Sequence, residues 1–324
     1  MRRKWIWDGK GEARGHSALP VLFLISGLFI PHGSAWTQQE EPFRIAVKVD
    51  LVVLQATVRD RKGHAVAGLE KDNFSVYEDG ELQSIHLFQH EDTPVSIGLL
   101  VDHSGSMQEK LDDVTAAARA FVTASNPDDQ MFVVNFNESV RLGLPAAKPF
   151  SSSAAELGAA IGNAPAMGLT ALYDALLNGL RMLEKGKLER KVLVVISDGG
   201  DNASRATLDQ VLRAAEQSNA AIYTIGIFDP DDPDRNPKVL RRLARETGGE
   251  AFFPSALPET VEICRRIARE VRNQYVLGYI AGELSSRNAR PGTYHAIRVT
   301  AHSKQHGKLS VRTRAGYRIG DLAK

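Results

Sequence analysis

Two continuous apolar runs, each ending in an aspartate, constrain this chain more than any other feature. Val95 to Val101 runs into Asp102, and Lys191 to Ile196 runs into Ser197-Asp198-Gly199. An unbroken apolar run suits a strand covered on both faces, whereas a half-exposed strand alternates. Around these runs the pattern switches to helical spacing: Leu111, Val114, Ala118 and Phe121 make one stripe, and Leu172, Leu176, Leu180 and Leu183 make another. Strands alternating with helices predict an α/β fold with a largely parallel sheet. In such sheets ligands bind beyond the carboxyl ends of the strands, where strand order reverses. Both aspartates therefore belong on the binding edge.

Asp102, Ser104 and Ser106 fall on alternate residues where the first run ends, and alternate residues of an extended chain face the same way. One carboxylate and two neutral hydroxyls suit a hard cation such as Mg²⁺, which takes oxygen ligands and keeps several waters. Thr170 adds a hydroxyl at the mouth of the second helical stripe, and Asp198 adds the second carboxylate. This set, Asp102-x-Ser104-x-Ser106 with Thr170 and Asp198, resembles the metal-ion-dependent adhesion site of the von Willebrand factor type A family. The resemblance covers Val95 to Arg272. It implies a Rossmann-like, doubly wound sheet and one divalent cation: Mg²⁺ or Mn²⁺, with Ca²⁺ as a further option. In that family's pattern Ser104, Ser106 and Thr170 would hold the ion directly, and Asp102 and Asp198 directly or through water. The layout outside this segment is similar to that of secreted, acidobacterial-type proteins related to the same family.

Neutral hydroxyls leave such a cation electron-poor, so a coordination position filled by water can accept a carboxylate from outside. The expected partner is a protein offering an Asp or Glu, and His103, Met107, Leu169, Gly199, Asp229 and Asp231 are candidate rim residues around it. Two other classes compete. The domain could be a structural envelope component whose ion only stiffens the loops, or a metal-dependent hydrolase. Asp102, His103 and Ser104 carry the residue types of a hydrolytic triad, but consecutive residues of a strand point to opposite faces and cannot form its relay. The chain has no Gly-x-Ser-x-Gly elbow, His-Glu-x-x-His or phosphate loop. The reading is a binding module rather than an enzyme.

With 324 residues, 43% of them hydrophobic, the chain can bury a sizeable core in two or three domains. A net charge of +1 argues against a dedicated nucleic-acid binder. Residues 1–35 read as a secretory signal: five basic residues, the apolar stretch Ala18 to Ile30, and the small residues Gly33-Ser34-Ala35 before Trp36. Its removal would take away five basic and two acidic residues, leaving a charge of −2. The protein is expected in the periplasm, cell envelope or medium, with membrane contact only if the signal stays uncleaved. The single cysteine, Cys264, lies at helical spacing with Val261, Ile267 and Val271 and reads as a buried small hydrophobe.

The segments flanking the α/β region, 43–92 and 274–320, read as β-strands. Asp79-Gly80 between Phe74–Tyr77 and Leu82–Phe88 is a hairpin signal. Tyr275–Ile280, Tyr294–Ala301 and Leu309–Ile319 supply further strands, joined in part by a flexible turn over 282–292. Neither flank has enough strands to be comfortable alone, which predicts one small β-sandwich built from both ends of the chain, with the α/β domain (95–272) inserted between them. Arg298, Arg312, Arg314 and Arg318 are expected to face water, as is the acidic stretch from Asp229 to Asp234.

Overall fold

The computed structural model describes residues 51–162, 165–227, 234–281 and 292–318. The signal sequence expected over residues 1–35, the rim candidates Asp229 and Asp231, and most of the turn at 282–292 lie outside these residues. Among the described residues no helix is long and apolar enough to cross a membrane.

The chain begins with strands Leu51–Arg59 (β1), Phe74–Glu78 (β2), Glu81–Gln83 (β3) and Ile85–Gln89 (β4). The α/β segment follows as Ser96–Asp102 (β5), Leu111–Ala124 (α1), Gln130–Phe136 (β6), Val140–Leu142 (β7), Ala154–Gly162 (α2) and Leu172–Lys185 (α3). It continues through Lys191–Ser197 (β8), Leu208–Ser218 (α4), Ala221–Gly226 (β9), Pro237–Thr247 (α5), Ala251–Phe252 (β10) and Leu257–Arg272 (α6). Five short strands close the described chain: Tyr275–Ile280 (β11), Tyr294–Ser303 (β12), Gly307–Lys308 (β13), Ser310–Arg312 (β14) and Gly316–Arg318 (β15).

The central sheet has the order β10-β9-β8-β5-β6-β7, parallel throughout except for the edge strand β7. Its apolar runs are unbroken because both faces are covered. Ile97, Leu99 and Val101 of β5 pack with α1, α2 and α6 on one side. Leu100, of opposite parity, packs with α3, α4 and α5 on the other. The chain leaves β5 for β6 on one flank and returns to β8 on the other, so strand order reverses at β5. The ends of β5 and β8 thus meet at the crevice where sheets of this type bind ligands.

Local chemistry fixes the helix ends. Thr207 and Gln210 form a reciprocal capping box at α4. Asn236 caps α5 with Pro237 at its first turn, and a left-handed Gly248 ends it.

The flanking strands make two sheets, ordered β14-β1-β11-β4 and β13-β12-β2-β3, with β15 on β12. Val52, Leu54, Tyr275 and Leu277 of the first share one core with Phe74, Val76, Ile297 and Val299 of the second. The sandwich is therefore assembled from both ends of the chain, β1 pairing with β11 from Leu51 opposite Ile280 to Ala56 opposite Tyr275. Two segments expected as single strands are each broken in two. Leu82–Phe88 divides at Ser84, so that β3 pairs with β2 in one sheet and β4 with β11 in the other. Leu309–Ile319 divides likewise, β14 joining β1 and β15 joining β12. A small sandwich closes its corners by letting the chain step between sheets.

The arginines also correct the sequence reading. Arg298 is exposed over the ring of Tyr77, but Arg312 and Arg314 are drawn inward. Arg59 of β1 and Arg312 of β14 both grip Glu250, before β10, and Glu270 of α6. Glu270 also accepts from Tyr223 Oη at 2.8 Å and Thr57 Oγ1 at 3.3 Å. Arg314, 8% exposed, donates to Asn219 Oδ1 and to the Gly316 and Glu216 carbonyls. These cations fasten the sandwich to the α/β domain, and their burial is tolerable because carboxylates or carbonyls meet them.

Candidate metal centre

The two strand-end carboxylates are held alike. Asp102 Oδ1 accepts the backbone N–H of Ser104 at 2.8 Å, and Asp198 Oδ1 accepts that of Gly200 at 2.9 Å, each folding the chain back two residues on. Their second oxygens meet hydroxyls. Ser197 Oγ donates to Asp102 Oδ2 at 2.7 Å, and Ser106 Oγ donates to Asp198 Oδ2 at 2.6 Å. The hydroxyls of Ser104 and Ser106 lie 3.2 Å apart. Asp102, Ser104, Ser106 and Asp198 thus form one hydrogen-bonded chain, with Asp102, Ser104 and Asp198 at most 2% exposed.

Thr170, 5% exposed, is brought beside this chain by its backbone. Its loop is tied to the Asp102 loop by Met167 N–H to the His103 carbonyl at 2.9 Å and Gly105 N–H to the Gly168 carbonyl at 3.2 Å. On the other side it is tied to the Asp198 loop. Thr170 N–H donates to Asn202 Oδ1 at 2.8 Å, and its carbonyl accepts from Asn202 and Ala203 N–H, both at 3.0 Å. Gly168 makes the turn at φ +80, and Glu138 Oε2 receives the next N–H, that of Leu169, at 2.9 Å.

Electrostatics at this edge favour a cation. Burial pushes the Asp102 carboxyl up to about 6, against hydrogen bonds from Ser104 and Ser197 that favour its charged form, and the Asp198 carboxylate adds to the rise. Two buried carboxylates whose described hydrogen bonds come from hydroxyls and backbone N–H groups, beside neutral hydroxyls, suit an oxygen-seeking divalent ion. The Ser106 proton is committed to Asp198, so Ser104 is the donor across their 3.2 Å contact, and the remaining Ser106 lone pair is free to face such an ion.

The rim needs correction. Leu169 is 53% exposed, as a partner contact requires, and Met167, which sequence reasoning passed over, is 57% exposed. Met107 is fully buried, because Gly105–Lys110 coils as a 3₁₀ turn and sends it into the core beneath β5. His103 is 1% exposed, its parity opposite to that of Asp102 and Ser104, and its backbone N–H donates to the Phe136 carbonyl at 2.7 Å. Gly199 is buried against the Asn236 carbonyl at φ +83, a close approach that a side chain would block. None of the three is exposed to a partner.

Ser197, Asn202 and Glu138 belong to the site and were missed. Ser197 was findable: in the parallel register Val101 lies beside Ile196, so the next step sets Asp102 beside Ser197. Nothing in the local sequence marks Asn202 or Glu138, whose partners lie in loops about 30 residues away.

Residues 96–263, from the start of β5 into α6, match the family model of the von Willebrand factor type A domain. The chain belongs to that family. Von Willebrand factor type A domains carry a metal site; the five oxygen-bearing residues singled out in this sequence stand at the ends of β5 and β8 and in the loop before α3. Among solved structures the chain is similar to a von Willebrand factor type A protein from Catenulispora acidiphila, at 15% identity over 85% of this chain and 75% of that one, with a TM-score of 0.47. It is also similar to an aerotolerance-related membrane protein from Bacteroides fragilis, at 15% identity over 55% and 98% of the two chains, TM-score 0.45. A third is proximal thread matrix protein 1 from the mussel byssus, in a form with a zinc-occupied adhesion motif, at 16% identity over 60% and 49%, TM-score 0.48. No curated protein matches the sequence.

Proposed function

We propose that this chain is an exported, metal-dependent protein-binding module whose von Willebrand factor type A domain captures an Asp or Glu carboxylate of a partner on a divalent cation, Mg²⁺ or Mn²⁺. Domains of this family are generally interaction modules rather than enzymes. The observation that carries the reading is the 2.6 Å hydrogen bond from Ser106 to Asp198, which joins the β5 and β8 loops into one oxygen-lined edge. Ser104, Ser106 and Thr170 would offer the ion neutral oxygens while Asp102 and Asp198 balance its charge. A bound ion supplies Lewis acidity toward an incoming carboxylate. The protein's own part is to hold these oxygens still and flank the approach with apolar Met167 and Leu169. A partner acid next to an apolar side chain fits that rim best.

The test is selection of a random peptide library on the purified full chain in Mg²⁺. The expected result is enrichment of peptides sharing an Asp or Glu, released by EDTA and lost when the acid is changed to its amide. Binders that survive both treatments would overturn the proposal.

A further inference from the structure

Outside the strand-end site, a second set of metal-ligating side chains lies on the sandwich. The tight turn between β2 and β3 and the start of β12 bring together Glu78, Asp79 and His295, with one ligand atom of each within 4.8 Å of the others. His295 Nδ1 stands 2.7 Å from Asp79 Oδ2 and 3.1 Å from Glu78 Oε1. Tyr317 Oη donates to Glu78 Oε1 at 2.8 Å, and its ring stacks on the imidazole. The turn is pinned in place: Asp79 N–H donates to the Ala296 carbonyl at 2.9 Å, and Ala296 N–H donates to Asp79 Oδ1 at 2.8 Å.

A plain ion pair does not satisfy this arrangement. One nitrogen carries at most one proton, so His295 Nδ1 cannot donate a full hydrogen bond to both carboxylates that face it. Moreover, Glu78 is 2% exposed, yet its Oε2 has no hydrogen-bond partner of good geometry among the described residues. Buried polar atoms are ordinarily paired, and a buried carboxylate oxygen without a donor needs a physical reason. A cation supplies it. Bonds of about 2.0–2.1 Å to nitrogen and oxygen set neighbouring ligands of one ion roughly 3 Å apart, which is the spacing of His295 Nδ1 from each of the two carboxylates. Two carboxylates with a neutral imidazole carry the charge that a divalent ion cancels, and the mixed donor set favours Zn²⁺ and its transition-metal neighbours over Mg²⁺. Tyr317 then plays the outer-shell part of orienting a ligating carboxylate.

We propose that Glu78, Asp79 and His295 bind a divalent transition-metal ion of the Zn²⁺ class, separate from the strand-end site. Asp79, with its side chain 44% exposed, opens the site to solvent, so water completes the coordination. Asp79 and His295 are 216 residues apart, with the whole α/β domain between them. An ion bridging them closes that loop and staples the sandwich beneath its insert, a cross-link that restricts the unfolded chain most when the loop is long.

The test uses the full chain carrying Asp102→Ala and Asp198→Ala, which disables the strand-end site, titrated with Co²⁺ as an optical probe and with Zn²⁺ by calorimetry. The expected result is one ion per chain, visible Co²⁺ ligand-field absorption, and a raised melting temperature. Adding His295→Gln should abolish all three. Asp79→Asn, at an exposed position that leaves the fold intact by circular dichroism, should weaken affinity at least about tenfold. No stoichiometric binding in the starting chain, or binding unchanged by Asp79→Asn, would overturn the proposal, whether or not the His295 variant folds.

Discussion

Ser197 donates its hydroxyl to Asp102 Oδ2 at 2.7 Å, and with the Ser104 N–H on Oδ1 this contact aims the carboxylate at the head of β5. The same hydroxyl accepts the backbone N–H of Gly199 at 3.0 Å, so one side chain braces both strand ends. Ser197→Ala would leave a buried carboxylate oxygen without its donor and favour its protonated form. Affinity for Mg²⁺ at neutral pH should fall about 10- to 100-fold, the usual loss when an outer-shell partner is removed. Calorimetric titration of the variant decides it: unchanged affinity would mean that Ser197 is only packing.

Ligand binding that is specific to the folded state raises stability by mass action. Mg²⁺ at about 100 times its dissociation constant adds about 2.7 kcal/mol, a shift of several degrees for a domain of this size. Asp102→Ala and Thr170→Ala should each lose that shift while keeping a cooperative transition. Mg²⁺ is the right probe, because the His-containing cluster on the sandwich favours softer ions. If both variants melt with the full Mg²⁺ shift, the ion is held elsewhere.

What the sequence made legible was whatever one strand or helix decides alone. The stripes Leu111 to Phe121 and Leu172 to Leu183 were readable from helical spacing and lie on α1 and α3, and the strand-end aspartates were readable because apolar runs point at them. Asp102, Ser104, Ser106 and Asp198 do meet in one hydrogen-bonded chain, and the Thr170 loop is fastened beside them. The errors came where direction or distance depends on the whole fold. Met107 was misread because a 3₁₀ turn replaces the extended chain after Ser104. Arg312 was misread because its carboxylate partners lie within the inserted domain, 62 and 42 residues away in sequence. Glu78, Asp79 and His295 carry no local mark at all, since only the closing of the sandwich brings them together.

The ion cluster at the joint makes stability depend on acid. Burial raises the Glu250 carboxyl, but Arg59 and Arg312 outweigh it and leave it below its ordinary value. A carboxylate depressed in the folded state binds more protons when unfolded, so its contribution is complete above about pH 4.3 and is lost as pH falls through the lowered folded value. Urea midpoints should therefore drop on acidification below about pH 4, and the drop should be shallower in Glu250→Gln. At neutral pH, Arg59→Ala takes from Glu270, whose side chain is 4% exposed, one of its two guanidinium partners and should cost up to about 3 kcal/mol. A loss under about 0.5 kcal/mol, the range of ordinary surface changes, would show that Arg312 alone suffices.

Gly168 gives the sharpest separation between the site and the fold that carries it. At φ +80 a side chain is strained by about 1–3 kcal/mol, and an added Cβ would come within 1.7 Å of Glu138 Oε2. Glu138 can swing away, but it then releases the N–H of Leu169 one residue before Thr170. Gly168→Ala should accordingly lower Mg²⁺ affinity while the central sheet keeps its cooperative unfolding. Pairing it with Glu138→Ala removes the collision but not the backbone strain. If that double variant regains Mg²⁺ affinity, displacement of Glu138 was the cause; if it binds as weakly as Gly168→Ala, the left-handed turn itself holds Thr170 in place. Mg²⁺ affinity unaltered in Gly168→Ala would remove the Thr170 loop from the site.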